Sequence, residues 1–87
     1  FILEFPMPDA DYRRRIFEVH FPRSAPLSPE VNLAEIAAKY RLSGGNIRNV
    51  TLTAAYLAAA DGRVITPTHI RNAVRRENQK MGRLSED

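Results

Sequence analysis

The sequence predicts an all-α fold, a bundle of four helices, and three observations carry that prediction. Apolar residues recur at the i, i+3, i+4, i+7 spacing of a helix in separate segments. A residue suited to N-capping stands before each of the four, at Asp9, Asn32, Ser43 and Thr66. Residues that stop helices follow, with Pro22 after the first, Asp61-Gly62 after the third and Gly82 after the fourth.

The first helix is expected over about residues 10 to 21, on the recurrence of Tyr12, Ile16, Val19 and His20. Phe5-Pro6-Met7-Pro8 comes before it, and alternating prolines bar a helix there and make a stiff extended connector. Residues 24 to 31, with Pro26 and Pro29 among small and polar residues, read as a loop. The second helix, about residues 33 to 40, opens on Asn32 with Glu35 three residues on, an Asn version of the capping box, and carries Leu33, Ile36, Ala37 and Tyr40.

The third helix is the longest, about residues 44 to 60, with Ile47, Val50, Ala54, Leu57 and Ala58 on one stripe. A second stripe of Leu52, Ala55, Tyr56 and Ala59 predicts that this helix is wrapped on more than one side, at the centre of the bundle. Arg63-Val64-Ile65 is too short for an independent strand, and leaves room only for a very short pairing with an extended segment such as residues 2 to 5. Thr66 as cap and Pro67 at the first helical position start the fourth helix, which runs to about residue 80 with Ile70, Ala73, Val74 and Met81 inward. The last five residues, 83 to 87, are expected to fray.

Bulk composition narrows the classes. With 87 residues, 44% of them hydrophobic, the chain can build one core and is too short for two ordinary domains. There is no cysteine, which excludes disulfides and thiolate metal sites, and two histidines make a poor metal set. No apolar run approaches the roughly 20 residues that span a bilayer, and a cytoplasmic setting is expected because a small secreted scaffold would need staples. The net charge of +3 is a mild surplus. Arginines gather at 13 to 15 and at 71, 75 and 76, and the reading preferred for 13 to 15 is a solvated face. The chain opens on Phe1-Ile2-Leu3-Glu4-Phe5, strand-forming residues without an obvious partner, and reads as a piece of a longer protein.

The elements so assembled resemble the small C-terminal helical subdomain, the lid, of an AAA+ ATPase, nearer the AAA-like branch than the clamp loaders or protease unfoldases. The residues that carry the resemblance are Phe5-Pro6-Met7-Pro8-Asp9, Arg13 and Arg15-Ile16-Phe17-Glu18-Val19-His20, Val31-Asn32-Leu33-Ala34-Glu35-Ile36-Ala37, Tyr40-Arg41-Leu42-Ser43-Gly44-Gly45-Asn46-Ile47, and Val64-Ile65-Thr66. They stand in the family's order and cover essentially residues 4 to 81. The resemblance implies that residues 1 to 8 are the hinge from a large α/β ATPase domain, that residues 9 to 82 are the lid, and that the lid closes over ATP or ADP in a homo-hexameric ring.

The resemblance also implies a site. Ile16 and His20, four apart on one helix face, are expected to meet the adenine and the ribose. Gly44 and Gly45, at the start of the third helix, are expected to border the nucleotide with their backbone. On the residues alone, core packing for Ile16 and His20 and a plain turn for the glycines stay open. Asn46 stands where several branches carry a sensing arginine and others an acidic residue. Arg48 lies about 200° further round the helix, and a phosphate-sensing role for it is a further expectation, with an acidic group or a neighbouring subunit as its alternative partners.

These 87 residues contain no G-x-x-x-x-G-K-[ST] loop and no apolar strand ending in paired acidic residues. No catalytic residue is therefore expected in this chain, and no metal ligand, Mg²⁺ and the phosphates falling to the large domain. The expected partners are that domain and neighbouring subunits. The alternative is a small basic helical module that binds nucleic acid or a protein, using Arg71, Arg75 and Arg76. It lacks interleaved aromatic residues and any recognition-helix pattern.

Overall fold

The computed structural model describes residues 8–82 and contains four helices, α1 (Ala10–His20), α2 (Leu33–Lys39), α3 (Gly44–Ala59) and α4 (Pro67–Lys80). Each expected cap is present. The side chains of Asp9, Asn32, Ser43 and Thr66 accept from the backbone N–H three residues on, at Tyr12, Glu35, Asn46 and His69. At α4 the box is reciprocal, because the His69 ring accepts the Thr66 N–H at 3.0 Å.

Helix α3 packs against both α1 and α4, and α2 packs on α1. The core is Phe17 from α1, Ala37 from α2, Leu42, then Ile47, Val50, Ala54 and Ala58 from α3, Ile65, and Ile70, Ala73 and Val74 from α4. Phe17 stacks on Phe21, with ring centroids 6.0 Å apart. The central position expected for α3 is thus present, but its second stripe is not wrapped: Leu52 is 51% and Tyr56 73% exposed, and only Ala55 of that stripe packs against the core. One stripe is enough to seat both neighbouring helices, and the other is left facing water.

Three further expectations need correcting. In α1 the inward residues are Arg13 and Phe17, while Tyr12 and Val19 are exposed. Arg13 is 6% exposed and belongs to no solvated face, because its Nε donates to the Ala37 carbonyl at 2.8 Å and its Nη1 to the Pro8 carbonyl. Met81 is not inward. It caps α4 and is 37% exposed, since the inward stripe of Ile70, Ala73 and Val74 ends on Glu77 instead.

The loops are tied together at one point. Leu27 and Ile65 form a parallel bridge in which the Ile65 N–H donates to the Pro26 carbonyl at 2.9 Å and the Ile65 carbonyl accepts from the Ser28 N–H at 2.8 Å. Both backbone groups of Ile65 are therefore committed to the loop between α1 and α2. The partner expected for residues 63 to 65, residues 2 to 5, lies outside the described residues, as do most of the expected hinge and residues 83 to 87, where fraying was expected. After α3 the chain reverses through Gly62 and Arg63, at φ 79° and 70°. Glycine takes that left-handed conformation freely, whereas at Arg63 it costs about 1 kcal/mol, set against the 2.7 Å bond from Arg63 N–H to the Ala58 carbonyl.

Candidate functional site

The start of α3 and the outer face of α1 come together through Ile16. A Cβ placed on Gly44 would stand 3.7 Å from Ile16 Cδ1, ordinary van der Waals contact, so glycine at 44 is not required by crowding. Gly45 is exposed, with nothing within 4 Å of the space a Cβ would take. Its backbone is open to any approaching ligand at the positive end of a sixteen-residue helix.

Tyr12, Arg15, Ile16, Val19 and His20 line a shallow depression of about 230 Å³ on α1. Ligand pockets run roughly 300–1,000 Å³ and enclose most of their ligand, so this face can be one wall of a site and not the whole of it. Ile16 and His20 share this wall, as their spacing implied. Gly44 is not part of that lining, but the position its Cβ would take stands next to Ile16. Gly45 and Arg48 do not line the depression. Both are exposed on the outward side of α3, three residues apart.

His20 itself is exposed, and its Nδ1 lies 2.9 Å from the Ile16 carbonyl. A carbonyl can only accept, so Nδ1 carries the hydrogen and, in the neutral ring, Nε2 is an acceptor directed away from the backbone. The bond is made within one turn of α1, and the exposure of the ring rules out core packing for His20. On the flank of the wall, Asp11 accepts from Arg14 at 3.0 Å and lies 3.6 Å from Arg15. The hydrogen bond from Arg14, then the Arg15 and Arg14 charges, hold its carboxyl below the usual value.

Sequence reasoning missed what anchors the α3 start. Asn46 Nδ2 and Asn49 Nδ2 donate to Glu77 Oε2 at 2.8 and 3.1 Å, and Lys80 Nζ lies 3.3 Å from Oε1. Asn46 does have a charged partner, but that partner is a carboxylate of α4. Burial by itself would raise the Glu77 carboxyl. The bonds from Asn49, Asn46 and Lys80, with the Lys80 charge, outweigh it and hold the group below its ordinary value. The signal was legible: Glu77 continues the Ile70, Ala73, Val74 stripe, and a carboxylate on an inward stripe needs donors opposite.

Among the described residues no cluster of His, Cys, Asp and Glu could hold a metal ion, and no helix is long and apolar enough to cross a membrane. No family model matches the chain. Curated relatives do. The probable 26S proteasome regulatory subunit 4 of Caenorhabditis elegans is 44% identical over 63 residues, 71% of this chain and 14% of that protein. ATP-dependent zinc metalloprotease FtsH 2 of Sphaerobacter thermophilus is 47% identical over 58 residues, 66% of this chain and 9% of its own length. The proteasome-activating nucleotidase of Saccharolobus islandicus is 32% identical over 85 residues, covering 95% of this chain and 21% of the relative. The chain thus spans about a fifth or less of each of these proteins.

Proposed function

The relatives that this chain matches are AAA+ ATPases, and on that premise we propose that it is the helical lid of such an enzyme, closing on the adenosine end of ATP or ADP. The observation that supports the reading is the nearness of Ile16 to Gly44, whose Cβ position would stand 3.7 Å from Ile16 Cδ1, so that the glycine start of α3 adjoins the α1 wall. A wall this shallow needs a second side, and the large ATPase domain supplies it.

In this reading Ile16 packs on the base. His20 Nε2, an acceptor by the tautomer argument, takes a hydrogen bond from a ribose hydroxyl. Gly45 lets the nucleotide approach α3 without meeting a side chain. Mg²⁺ and the phosphates are bound by the large domain, so catalysis is not performed here. Arg48, exposed and three residues beyond Gly45 on α3, reaches towards the phosphates. The exposed Leu52 and Tyr56 meet a neighbouring subunit of a homo-hexameric ring in the cytoplasm, so that lid rotation carries nucleotide state around the ring.

The test is nucleotide affinity of the intact ATPase carrying this chain. His20→Ala and Gly45→Val are expected to weaken ATP binding, Gly45→Val the more, because open space at residue 45 leaves the fold intact while the new side chain occupies the ligand's approach. Unchanged affinity in both variants would sink the site assignment. A gel shift of the 87-residue chain on DNA should show no binding, and tight, salt-steep binding would favour the basic-module alternative through Arg71, Arg75 and Arg76.

A further inference from the structure

The inward stripe of α4 runs Ile70, Ala73, Val74 and then Glu77, a carboxylate only 5% exposed. A charge in that position persists only if it is paired and hydrogen-bonded. Its Oε2 accepts from two amides of α3, Asn46 and Asn49, which lie three residues apart and so point to the same side of that helix. A carboxylate can only accept, so the Asn46 amide must turn its NH₂ towards Glu77 and its oxygen the other way. That oxygen takes a 2.6 Å bond from Ser43 Oγ, whose hydroxyl in turn accepts the Asn46 N–H at 3.2 Å. The line Glu77, Asn46, Ser43 therefore brackets Gly44 and Gly45 from both sides.

We infer that Glu77 is a positioning residue for the glycine start of α3, acting through Asn46 and Asn49 to fix the backbone of Gly44 and Gly45 where a nucleotide would meet it. The polar chain stands on geometry alone, whereas its consequence for nucleotide rests on the lid reading. Glu77 never touches the ligand. The groups that bond it are the neutral amides of Asn46 and Asn49 from α3 and the charged Lys80 from α4. Loss of the carboxylate charge therefore weakens the grip of α4 on the α3 start, and Lys80 cannot replace it because it has only donors.

The first experiment follows the amide resonances of Gly44, Gly45 and Asn46 in the 87-residue chain from pH 7 to pH 3. They are expected to shift together with the Glu77 side-chain carboxyl carbon, at one midpoint, and Glu77→Gln is expected to abolish that midpoint. Amides that ignore the Glu77 titration, or that keep the midpoint in Glu77→Gln, overturn the inference. The wild-type titration decides the matter even if the variant does not fold. The second experiment compares ATP affinity of the intact ATPase with Glu77→Gln and with Gly45→Val. A loss of about fivefold or more in Glu77→Gln is expected. A loss in Gly45→Val alone overturns the positioning role and keeps the lid reading. No loss in either overturns both. Asn46→Asp sets two carboxylates face to face and should weaken binding, and adding Glu77→Gln should restore it by returning a donor to the pair; failure of that rescue also counts against the inference.

Discussion

Arg13 Nε donates to the carbonyl of Ala37 at 2.8 Å, and this bond caps the C-terminal end of a seven-residue helix with a buried guanidinium. The last carbonyls of a helix have no partner within it, and a cation there also opposes the helix dipole. A helix as short as α2 is marginal without such help. Arg13→Ala should therefore cost about 2 kcal/mol or more, the loss of a charge-assisted bond with a carbonyl left unpaired. Arg13→Lys should recover only part of it, because one ammonium cannot match the guanidinium's two separate bonds, to Ala37 and to Pro8. Urea denaturation of the three proteins checks this, and equal midpoints would remove Arg13 from the account of α2.

Stability should fall on acidification, and Glu77 should carry part of the fall. Its folded carboxyl titrates below the ordinary value despite burial, because Asn49, Asn46 and Lys80 stabilise the ionised form more than burial penalises it. A carboxyl depressed on folding contributes stability that is complete above its unfolded value, about 4.3, and is lost as pH falls through the folded value. Urea titrations between pH 6 and pH 3 should show a steeper decline in the wild type than in Glu77→Gln. Parallel curves would mean that Glu77 is not depressed.

His69 is the buried corner of the turn into α4. Its Nδ1 accepts the Thr66 N–H, so Nε2 holds the ring hydrogen and donates to Asp61 Oδ2 at 2.8 Å. His69→Ala should cost about 1–2 kcal/mol through loss of the reciprocal cap and of the bond to Asp61. Asp61→Ala should cost less, since that side chain is 81% exposed and its pair is screened. Thermal melts of both variants check the order, which the opposite ranking would contradict.

Leu52 and Tyr56 lie four residues apart on the exposed stripe of α3. Replacing both with arginine should leave the stability of the 87-residue chain within about 0.5 kcal/mol, the usual range for surface substitutions. If the lid proposal holds, the same change in the full-length protein should reduce ring assembly, read by sedimentation. Destabilised chains would show that the stripe is part of the fold, and unaltered assembly would show that it is not an interface.

The helices were legible in the sequence because their signals are local. A cap at Asp9, Asn32, Ser43 or Thr66 acts on an N–H three residues away, and Pro22 and Gly62 end helices by their own backbone chemistry. The pairing of Ile16 with His20 was likewise legible, since residues four apart share a helix face. Within α1 and α3, however, two stripes competed for the inward side. Periodicity marks both Tyr12 with Val19 and Leu52 with Tyr56 as apolar, and it has no means of saying which stripe a neighbouring helix will cover.

The sequence by itself thus determined the number, order, caps and approximate ends of the helices. Only the tertiary structure decided which faces turned inward, that Arg13 is a buried cap, that Ile65 pairs with the loop at Leu27, and that Glu77 reaches across to Asn46 and Asn49. The reason lies in sequence separation. Arg13 and Ala37 are 24 residues apart and Asn46 and Glu77 are 31 apart, so these bonds exist only once the packing of whole helices has brought their ends together.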